Sequence, residues 1–157
     1  SHRNLAMLPS PKKEKTELSE LVENCLQIMQ PLFKKEQITV VNLVDFNRWI
    51  LVDKNQMEQV IINLLTNSMY ALEDKEIKEI TISADVKEKR IYLIFTDTGT
   101  GIDAAIEDKI FLPFFTTRKD GAGIGLTLSK NIIESHGGYL AFENGENQTK
   151  FTVCLLE

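Results

Sequence analysis

The strand-like segments of this 157-residue chain come in adjacent pairs, and a helical segment precedes each pair. The six segments, all short and rich in β-branched or aromatic side chains, span residues 38–44, 49–52, 81–86, 90–96, 139–143 and 149–155. Strands that alternate singly with helices are typical of a doubly wound parallel sheet, whereas paired strands favour antiparallel neighbours. The order therefore predicts an α+β fold. We expect a two-layer sandwich in which about three helices cover one face of a mixed, mostly antiparallel sheet.

The first 15 residues are predicted to precede the folded domain. Pro9, Ser10 and Pro11 are followed by two lysines, which is a composition typical of a connector. The chain starts with Ser1-His2 and no methionine, which indicates a remnant of a cleaved tag. We therefore expect an interdomain linker through residue 15 and one domain over residues 16–157. With 43% apolar residues, a domain of this length can bury one core.

The first two predicted helices carry recognisable boundary signals. Ser19 is the predicted N-cap of the first helix, and Pro31 is expected to end or bend that helix within about one turn. The second helix is predicted to open with a capping box, in which Asp53 and Gln56 each bond the other's backbone, and to run to about Glu73.

Charge and cysteine usage exclude several classes of function. The 18 basic and 23 acidic residues give a net charge of −5, and neither sign forms a long block, which disfavours nucleic acid or an anionic membrane as partner. The longest apolar stretches fall far short of the roughly 18 residues of a membrane-spanning helix. Cys25 and Cys154 lie in apolar segments, which favours buried reduced thiols over a disulfide or a metal site. We expect a cytoplasmic domain without direct membrane contact.

One face of the second helix carries amides. Asn63, Asn67 and Tyr70 follow at spacings of four and three residues, away from the apolar stripe of this helix. Two side-chain amides one turn apart could both reach a single ligand or the coordination shell of a metal. A solvated polar face is the alternative interpretation.

A second candidate site follows the strand at residues 90–96. Asp97 is fixed at the end of this strand, and Gly99 and Gly101 let the backbone approach a ligand closely. A carboxylate in this position can accept a hydrogen bond from an exocyclic amine such as that of adenine. An ordinary tight turn would explain the same residues.

The third candidate site is a glycine-rich loop that leads into a helix predicted over residues 124–136. Glycines at positions 121, 123 and 125 expose backbone N–H groups, the helix N-terminus adds its positive end, and Arg118 and Lys119 add charge. Together they suit a triphosphate, and a flexible polar loop is the alternative. The spacing fits neither the dinucleotide fingerprint nor the Walker A pattern, because no strand directly precedes the glycines and no Gly-Lys-Ser or Gly-Lys-Thr occurs.

These three motifs, in this order, resemble the catalytic domain of bacterial sensor histidine kinases, in the superfamily that includes gyrase and the mismatch-repair ATPases. The resemblance extends from about residue 16 to the C-terminus and implies the two-layer Bergerat fold. The family's asparagine box, first glycine box, phenylalanine box and second glycine box resemble residues 59–68, 97–102, 110–118 and 121–126.

The resemblance implies a site for ATP and Mg²⁺. Asn67 would coordinate the Mg²⁺ that bridges the phosphates, and Asn63 would support the phosphate side. Asp97 would bind the adenine amine, with Thr149 nearby. Residues 116–125 would form a lid over the nucleotide. The other residues implied to contact ATP are Tyr70, Gly99, Gly101, Ile102, Phe115, Thr116, Thr117, Arg118, Lys119, Gly121, Gly123, Ile124, Gly125 and Leu126.

Three positions depart from the family pattern. Ser68 stands where alanine is usual, and we expect no consequence. Tyr70 stands where many members have a basic residue that contacts phosphate, so catalysis would depend more on Arg118 and Lys119. Gln148 replaces the glycine often found before Thr149, which weakens the assignment of that threonine.

Asn63 bears on the reaction type. The superfamily's ATPases carry a glutamate one turn before the magnesium-binding asparagine, and this glutamate activates water as a general base. Asn63 occupies that position here, and an amide cannot take the proton. A histidine acceptor needs no strong base, because its imidazole is largely neutral and nucleophilic at pH 7. The sequence therefore favours transfer of the phosphoryl group to a histidine on another domain.

The resemblance also implies partners. The acceptor histidine would lie upstream on a helical dimerisation domain, and a response regulator would then receive the phosphoryl group. His136 is interpreted as the end of a helix rather than as an acceptor. We expect the fragment to be monomeric and the full-length protein to be a homodimer that could be anchored in a membrane. The alternatives are a water-using ATPase, a serine kinase of the same superfamily, or a nucleotide-sensing module without catalysis.

Overall fold

The computed structural model describes residues 8–45, 47–112 and 125–156. In this part of the chain the helices are α1 Leu18–Lys35, α2 Lys54–Ala71, α3 Gly125–Ser135 and a 3₁₀ helix Ala104–Lys109. The strands are β1 Glu14–Glu17, β2 Thr39–Asn42, β3 Trp49–Val52, β4 Glu79–Lys87, β5 Arg90–Asp97, β6 Tyr139–Gly145 and β7 Gln148–Leu156. None of the described helices is both long and apolar enough to cross a membrane.

Five strands form the main sheet in the order β2-β4-β5-β7-β6. Only the β2–β4 pair is parallel among these described strands, and the other neighbours are antiparallel. Strands β1 and β3 form a separate antiparallel pair. The predicted α+β fold with a mixed, mostly antiparallel sheet is confirmed.

The core lies between the sheet and the helices. Along β5, every second residue from Ile91 to Asp97 is buried, and the residues between them are only half-buried. Helix α2 places its apolar stripe against this layer, with Val60, Ile61 and Leu64 fully buried. Full burial of one such side chain contributes roughly 1.5–3 kcal/mol. Helices α2 and α3 contact the sheet, while α1 packs against α2.

Both cysteines are buried free thiols, as predicted. Burial, with a smaller contribution from the Glu58 carboxylate, raises the pKa of the Cys25 thiol to about 12. This thiol therefore stays protonated at neutral pH.

The predicted N-cap of α1 is wrong. The carboxylate of Glu17 caps this helix, because it accepts hydrogen bonds from the backbone N–H of Ser19 at 2.9 Å and of Glu20 at 3.1 Å. Its bond to the Ser19 hydroxyl is the main cause of a lowered pKa of Glu17. Since β1 runs directly into α1, the last residue of the strand falls on the capping position, and one carboxylate satisfies two free backbone donors.

One boundary and one short helix near the predicted elements were not foreseen, whereas the end of α1 agrees with the prediction. Strand β1 starts at Glu14, inside the segment predicted as connector. Helix α1 ends at Lys35, about one turn beyond Pro31, as predicted. The 3₁₀ helix has no counterpart in the sequence analysis, and Asp103 caps it by accepting a bond from the Ala105 N–H at 2.9 Å.

The capping box of α2 is half-formed. Asp53 accepts a hydrogen bond from the Gln56 N–H at 3.1 Å, as predicted. The return bond is absent from the described residues: the Gln56 Nε2 donates to the Pro9 carbonyl at 3.2 Å, and its Oε1, which would accept from Asp53, has no partner there. The Asp53 N–H donates instead to Nε2 of His136 at 3.0 Å. The start of α2 is therefore tied to the end of α3.

His136 is a buried structural histidine at the end of α3. The Ile132 carbonyl lies 2.8 Å from Nδ1 and can only accept, so Nδ1 carries the proton and Nε2 accepts from Asp53. The imidazole is therefore neutral, and both nitrogens are occupied. Gly137 and Gly138 then end the helix as predicted, by donating to the carbonyls of Glu134 and Ile133.

Replacing His136 with alanine is expected to lower the free energy of unfolding by about 1–3 kcal/mol, because it leaves the half-buried Asp53 N–H without an acceptor. The midpoint of thermal unfolding should fall by roughly 2–10 °C, measured by circular dichroism. The control is Glu134→Ala, which removes only an exposed ion pair with Lys130. Equal midpoints for the two variants would contradict the proposed link between α3 and α2.

Candidate functional site

Three strands place Asp97, Thr149 and Asn144 side by side at one end of the sheet. Asp97 of β5 pairs with Thr149 of β7, and Thr149 pairs with Asn144 of β6. Residues directly opposite each other on antiparallel strands point to the same face of the sheet. Asp97 and Thr149 are each only 3% exposed, so this row lies on the face that the helices cover.

Asp97 is a buried carboxylate with acceptor capacity to spare. Its Oδ1 accepts from the Gly99 N–H at 2.9 Å, and the Ser68 hydroxyl donates to the same side chain. Desolvation raises the pKa of Asp97, and these two hydrogen bonds oppose that rise. An ionised carboxylate can accept about four hydrogen bonds, so a ligand amine can still be accommodated.

Ser68 links the helix to the acidic loop, although no role was predicted for it. It is 2% exposed and joins α2 to the end of β5 through its bond to Asp97. Alanine, the residue usual in the family, could not make this bond. Spacing along α2 indicates that position 68 is buried, but only the packing of α2 on β5 shows that its hydroxyl meets the carboxylate.

The loop after β5 lies tightly against the C-terminal end of α2. A Cβ atom on Gly99 would lie 2.7 Å from the Ala71 carbonyl oxygen and 2.8 Å from Oδ1 of Asp97, so a larger residue does not fit there. Gly101 has a φ of +81°, which non-glycine residues rarely adopt. Ile102 follows, half-buried against the core.

Thr149 contributes a hydroxyl that lacks a partner. Its Oγ1 is buried, and no hydrogen-bond partner for it exists among the described residues. A buried polar atom left unpaired costs about 1–3 kcal/mol, so each such atom needs an explanation. Because Thr149 lies opposite Asp97, a ligand that reached the carboxylate would also come close to this hydroxyl.

Asn63 and Asn67 are half-buried on one side of α2. The Asn67 Nδ2 donates to the Asn63 carbonyl at 2.9 Å, which fixes the amide and leaves Oδ1 as the atom able to coordinate a metal. The Asn63 Nδ2 lies 3.5 Å from the hydroxyl of Ser129 on α3. Tyr70 is 39% exposed on the same side of the helix.

The amide face and the acidic loop meet in space. Asn67 is adjacent in the chain to Ser68, which bonds Asp97, and Ala71 contacts Gly99 one turn later. Two of the three predicted motifs are therefore brought together. The site thus offers the Asp97 carboxylate and the Thr149 hydroxyl at one end and the Asn67 amide oxygen at the other. These groups suit a ligand that has an amine at one end and oxygens at the other.

Most of the third motif lies outside the described residues. These positions are Phe115, Thr116, Thr117, Arg118, Lys119, Gly121, Gly123 and Ile124. Gly125 is the first residue of α3, and Leu126 is half-buried against the core. The Thr127 hydroxyl donates to the Phe111 carbonyl at 2.7 Å, which ties α3 to the start of the phenylalanine-rich segment.

The sequence profile of the histidine kinase-, DNA gyrase B- and HSP90-like ATPases matches residues 52–157, more than half of the chain. The chain belongs to this ATPase family. The matched range contains α2, the Asp97 loop and the Thr149 strand, and so includes every described residue of the candidate site.

Relatives of this ATPase domain include sensor kinases. The C4-dicarboxylate transport sensor protein DctB of Rhizobium meliloti (strain 1021) is 33% identical over 141 residues, which are 89% of this chain and 23% of DctB. The sensory histidine kinase/phosphatase NtrB of Vibrio alginolyticus is 31% identical over 157 residues, which cover 92% of this chain and 44% of NtrB. The chain thus spans less than half of the length of either protein.

Solved structures share the fold of the domain. The nucleotide-free catalytic domain of histidine kinase ThkA superposes with a TM-score of 0.84 at 27% identity, covering 92% of this chain and 95% of that domain. ThkA in complex with the response regulator protein TrrA gives a TM-score of 0.79 at 26% identity, covering 93% of this chain and 42% of ThkA. The predicted resemblance to the catalytic domains of sensor histidine kinases is confirmed.

Proposed function

We propose that this ATPase domain binds Mg-ATP and transfers the γ-phosphoryl group to a histidine on an upstream dimerisation domain, as a step of two-component signalling. The observation that carries the proposal is the buried Asp97 carboxylate beside the unpaired Thr149 hydroxyl, joined through Ser68 to the helix that bears Asn67.

The adenine end of ATP fits the row at the end of the sheet. An exocyclic amine donates hydrogen bonds, and Asp97 is an acceptor whose remaining lone pairs are not used by Gly99 and Ser68. The Thr149 hydroxyl is a second polar atom within the same row. A Cβ on Gly99 would collide with Ala71 and with Oδ1 of Asp97, so glycine lets the loop pack on the end of α2 beside the carboxylate.

The phosphate end fits the amide face of α2. Mg²⁺ takes oxygen ligands and often combines one protein group with substrate phosphates, and the Asn67 Oδ1 is such an oxygen. When bound, the ion neutralises charge that develops on the phosphates. Asn63 would support this end, held by Ser129. Residues 116–125 would form a lid over the nucleotide, and Arg118 and Lys119 in this lid would supply further positive charge.

One feature favours a kinase over a hydrolase, and a second bears on where the acceptor of a kinase would lie. Asn63 lies one helical turn before Asn67, where a water-activating carboxylate would have to stand, and an amide cannot take the proton. His136 is unsuited as an acceptor because both of its ring nitrogens are hydrogen-bonded and the ring is buried. We therefore place the acceptor on a domain upstream of this one.

The partners follow from the same proposal. ThkA has been solved with a response regulator, and we propose a response regulator as the next acceptor of the phosphoryl group here. The upstream domain would make the whole protein a homodimer. A cytoplasmic location for this domain is proposed on the same basis.

Calorimetry on this chain with ATP and magnesium tests the proposal. We expect saturable binding at or below millimolar ATP, no steady release of phosphate, and no self-labelling by γ-labelled ATP. A longer protein that includes the upstream helices should become labelled, and acid should remove the label because phosphohistidine is acid-labile. Steady release of phosphate would indicate a hydrolase, and an acid-stable label would indicate a serine kinase. Absence of ATP binding would indicate a module without catalysis.

A further inference from the structure

Asn144, near the end of β6, makes hydrogen bonds to a loop that lies 42 residues earlier in the chain. Its Oδ1 accepts from the Ile102 N–H at 2.8 Å, and its Nδ2 donates to the Ile102 carbonyl. The same Nδ2 lies 3.3 Å from Oε1 of Glu107 in the 3₁₀ helix. An exposed asparagine next to a turn commonly bonds its own backbone, but this one bonds a distant segment.

The side chain of Asn144 takes the place of a strand neighbour. Ile102 lies beyond the end of β5, where the chain leaves the sheet. A side-chain amide carries the same donor and acceptor as a peptide group, so Asn144 satisfies both backbone groups of Ile102 at once. The loop is thereby fixed to β6 although the ladder of the sheet has ended.

Gly101 lies against the same amide. A Cβ atom on Gly101 would collide with Oδ1 of Asn144, so the amide lies directly against the backbone of the loop. The positive φ of Gly101 favours glycine at this position, and the contact shows how closely the Asn144 side chain approaches the loop. The conformation of the loop and the position of Asn144 are therefore matched to each other.

Asn144 also belongs to the row that bears the proposed adenine groups. It pairs with Thr149, which pairs with Asp97, so the three side chains lie on neighbouring strands at the same level. Asp97 and the loop it precedes are fixed on one side by β5 and Ser68. On the other side the loop is fixed by Asn144.

We infer that Asn144 is a positioning residue, which holds the loop at residues 99–102 in the shape that receives the adenine ring. This inference rests on the proposed function. Asn144 would act through Ile102 and Gly101 and not on the phosphates, because its bonds run to the loop and α2 carries the phosphate side independently.

The test compares the wild-type domain with Asn144→Ala in calorimetric titrations with ATP and magnesium. Loss of both bonds to Ile102 lets the loop leave the shape that receives ATP, and a competent fraction of about one tenth would weaken ATP binding about tenfold. The ligand-free midpoint of thermal unfolding should stay within about 2 °C, because Asn144 is exposed and outside the core. Glu146→Ala, an exposed change in the same turn, is the control and should bind ATP like the wild type.

A kinetic measurement separates positioning from general damage. In the longer protein that carries the acceptor histidine, Asn144→Ala should raise the KM for ATP about tenfold and leave kcat within about twofold. Asn144→Asp keeps the acceptor for the Ile102 N–H, but it loses the donor and places a carboxylate near Glu107. Its KM for ATP should therefore rise at least about threefold, which is half of the effect of alanine on a logarithmic scale. This second variant also serves if the alanine variant does not fold.

The outcomes are distinguishable. If the wild-type domain binds ATP and Asn144→Ala binds it equally well, the inference is wrong and the proposed function stands. If kcat and the unfolding midpoint fall together with affinity, Asn144 has a general structural role and the inference is again wrong. If the wild-type domain binds no ATP, the proposed function fails and the inference fails with it.

Discussion

Replacing Asp97 with alanine is expected to weaken ATP binding about 10- to 100-fold. A hydrogen bond to a charged partner contributes roughly 1.5–3 kcal/mol, and Asp97 is a buried carboxylate facing the proposed adenine position. The effect should be equal for ATP and ADP, because both carry the same adenine amine. Isothermal titration calorimetry on this chain with each nucleotide measures it directly.

Two further variants identify the cause of that loss. Asp85→Ala removes an exposed aspartate from β4 and should leave the affinity for ATP unchanged. Asp97→Asn keeps an oxygen that can accept from the Gly99 N–H but removes the charge, so its affinity should lie between those of wild type and alanine. Unchanged binding by Asp97→Ala would exclude the carboxylate as the adenine contact.

Replacing Asp97 with asparagine is not expected to unfold the domain. Burial raises the pKa of Asp97 above its ordinary value, so the folded state holds the proton more tightly than the unfolded state does. The stability that this group contributes is present below the unfolded pKa and is lost as the pH rises through the folded pKa. At neutral pH the charge therefore opposes folding, and Asp97→Asn should unfold at a midpoint no lower than that of the wild type.

The sheet could be predicted from the sequence because its strands carry strong local signals. β5 alternates buried and half-buried residues along its whole length, and Glu88 and Lys89 form the tight turn that joins it to β4, both with positive φ. β1 carries no such signal. Of its four residues only Thr16 is buried, and the strand exists because it pairs with β3, in which Glu17 lies opposite Trp49 and Thr16 opposite Ile50.

The candidate site could be predicted only in part, for a similar reason. Asp97 and Asn67 belong to ordered motifs, and their positions at a strand end and on a helix face follow from local structure. Ser68 and Asn144 act through partners that are distant in sequence, and local patterns suggest other roles for them. Ser68 fits the buried stripe of α2 as a small residue, while Asn144 precedes a glycine and fits a turn.

His136 shows how tertiary contacts change a local prediction. The capping box at the start of α2 predicts that Gln56 bonds the Asp53 N–H, and local geometry allows it. The end of α3 brings His136 to the same N–H, and a buried imidazole nitrogen without this donor would itself be unpaired. The Asp53 N–H therefore bonds the histidine, and the Gln56 Oε1 is left without a partner among the described residues.

Replacing Asn67 with alanine is expected to lower kcat for phosphohistidine formation about 100-fold or more, with little effect on the fold. Loss of a group that stabilises developing charge commonly has an effect of this size. The Asn67 amide is fixed by its bond to the Asn63 carbonyl, so Oδ1 is held in place for the metal before ATP arrives. The measurement is the initial rate of acid-labile labelling in the longer protein that carries the acceptor histidine.

The proposed metal role of Asn67 would have a signature that a damaged helix would not give. With the domain alone, magnesium should increase ATP affinity of the wild type and should increase that of Asn67→Ala much less, while both bind ATP similarly in the presence of a chelator. Asn55→Ala, an exposed change in the first turn of the same helix, should retain the full magnesium effect. If Asn67→Ala kept wild-type labelling rates, or if its affinity fell equally with and without magnesium, Asn67 would not be the metal ligand, and the phosphate side of the site would have to be assigned to other residues.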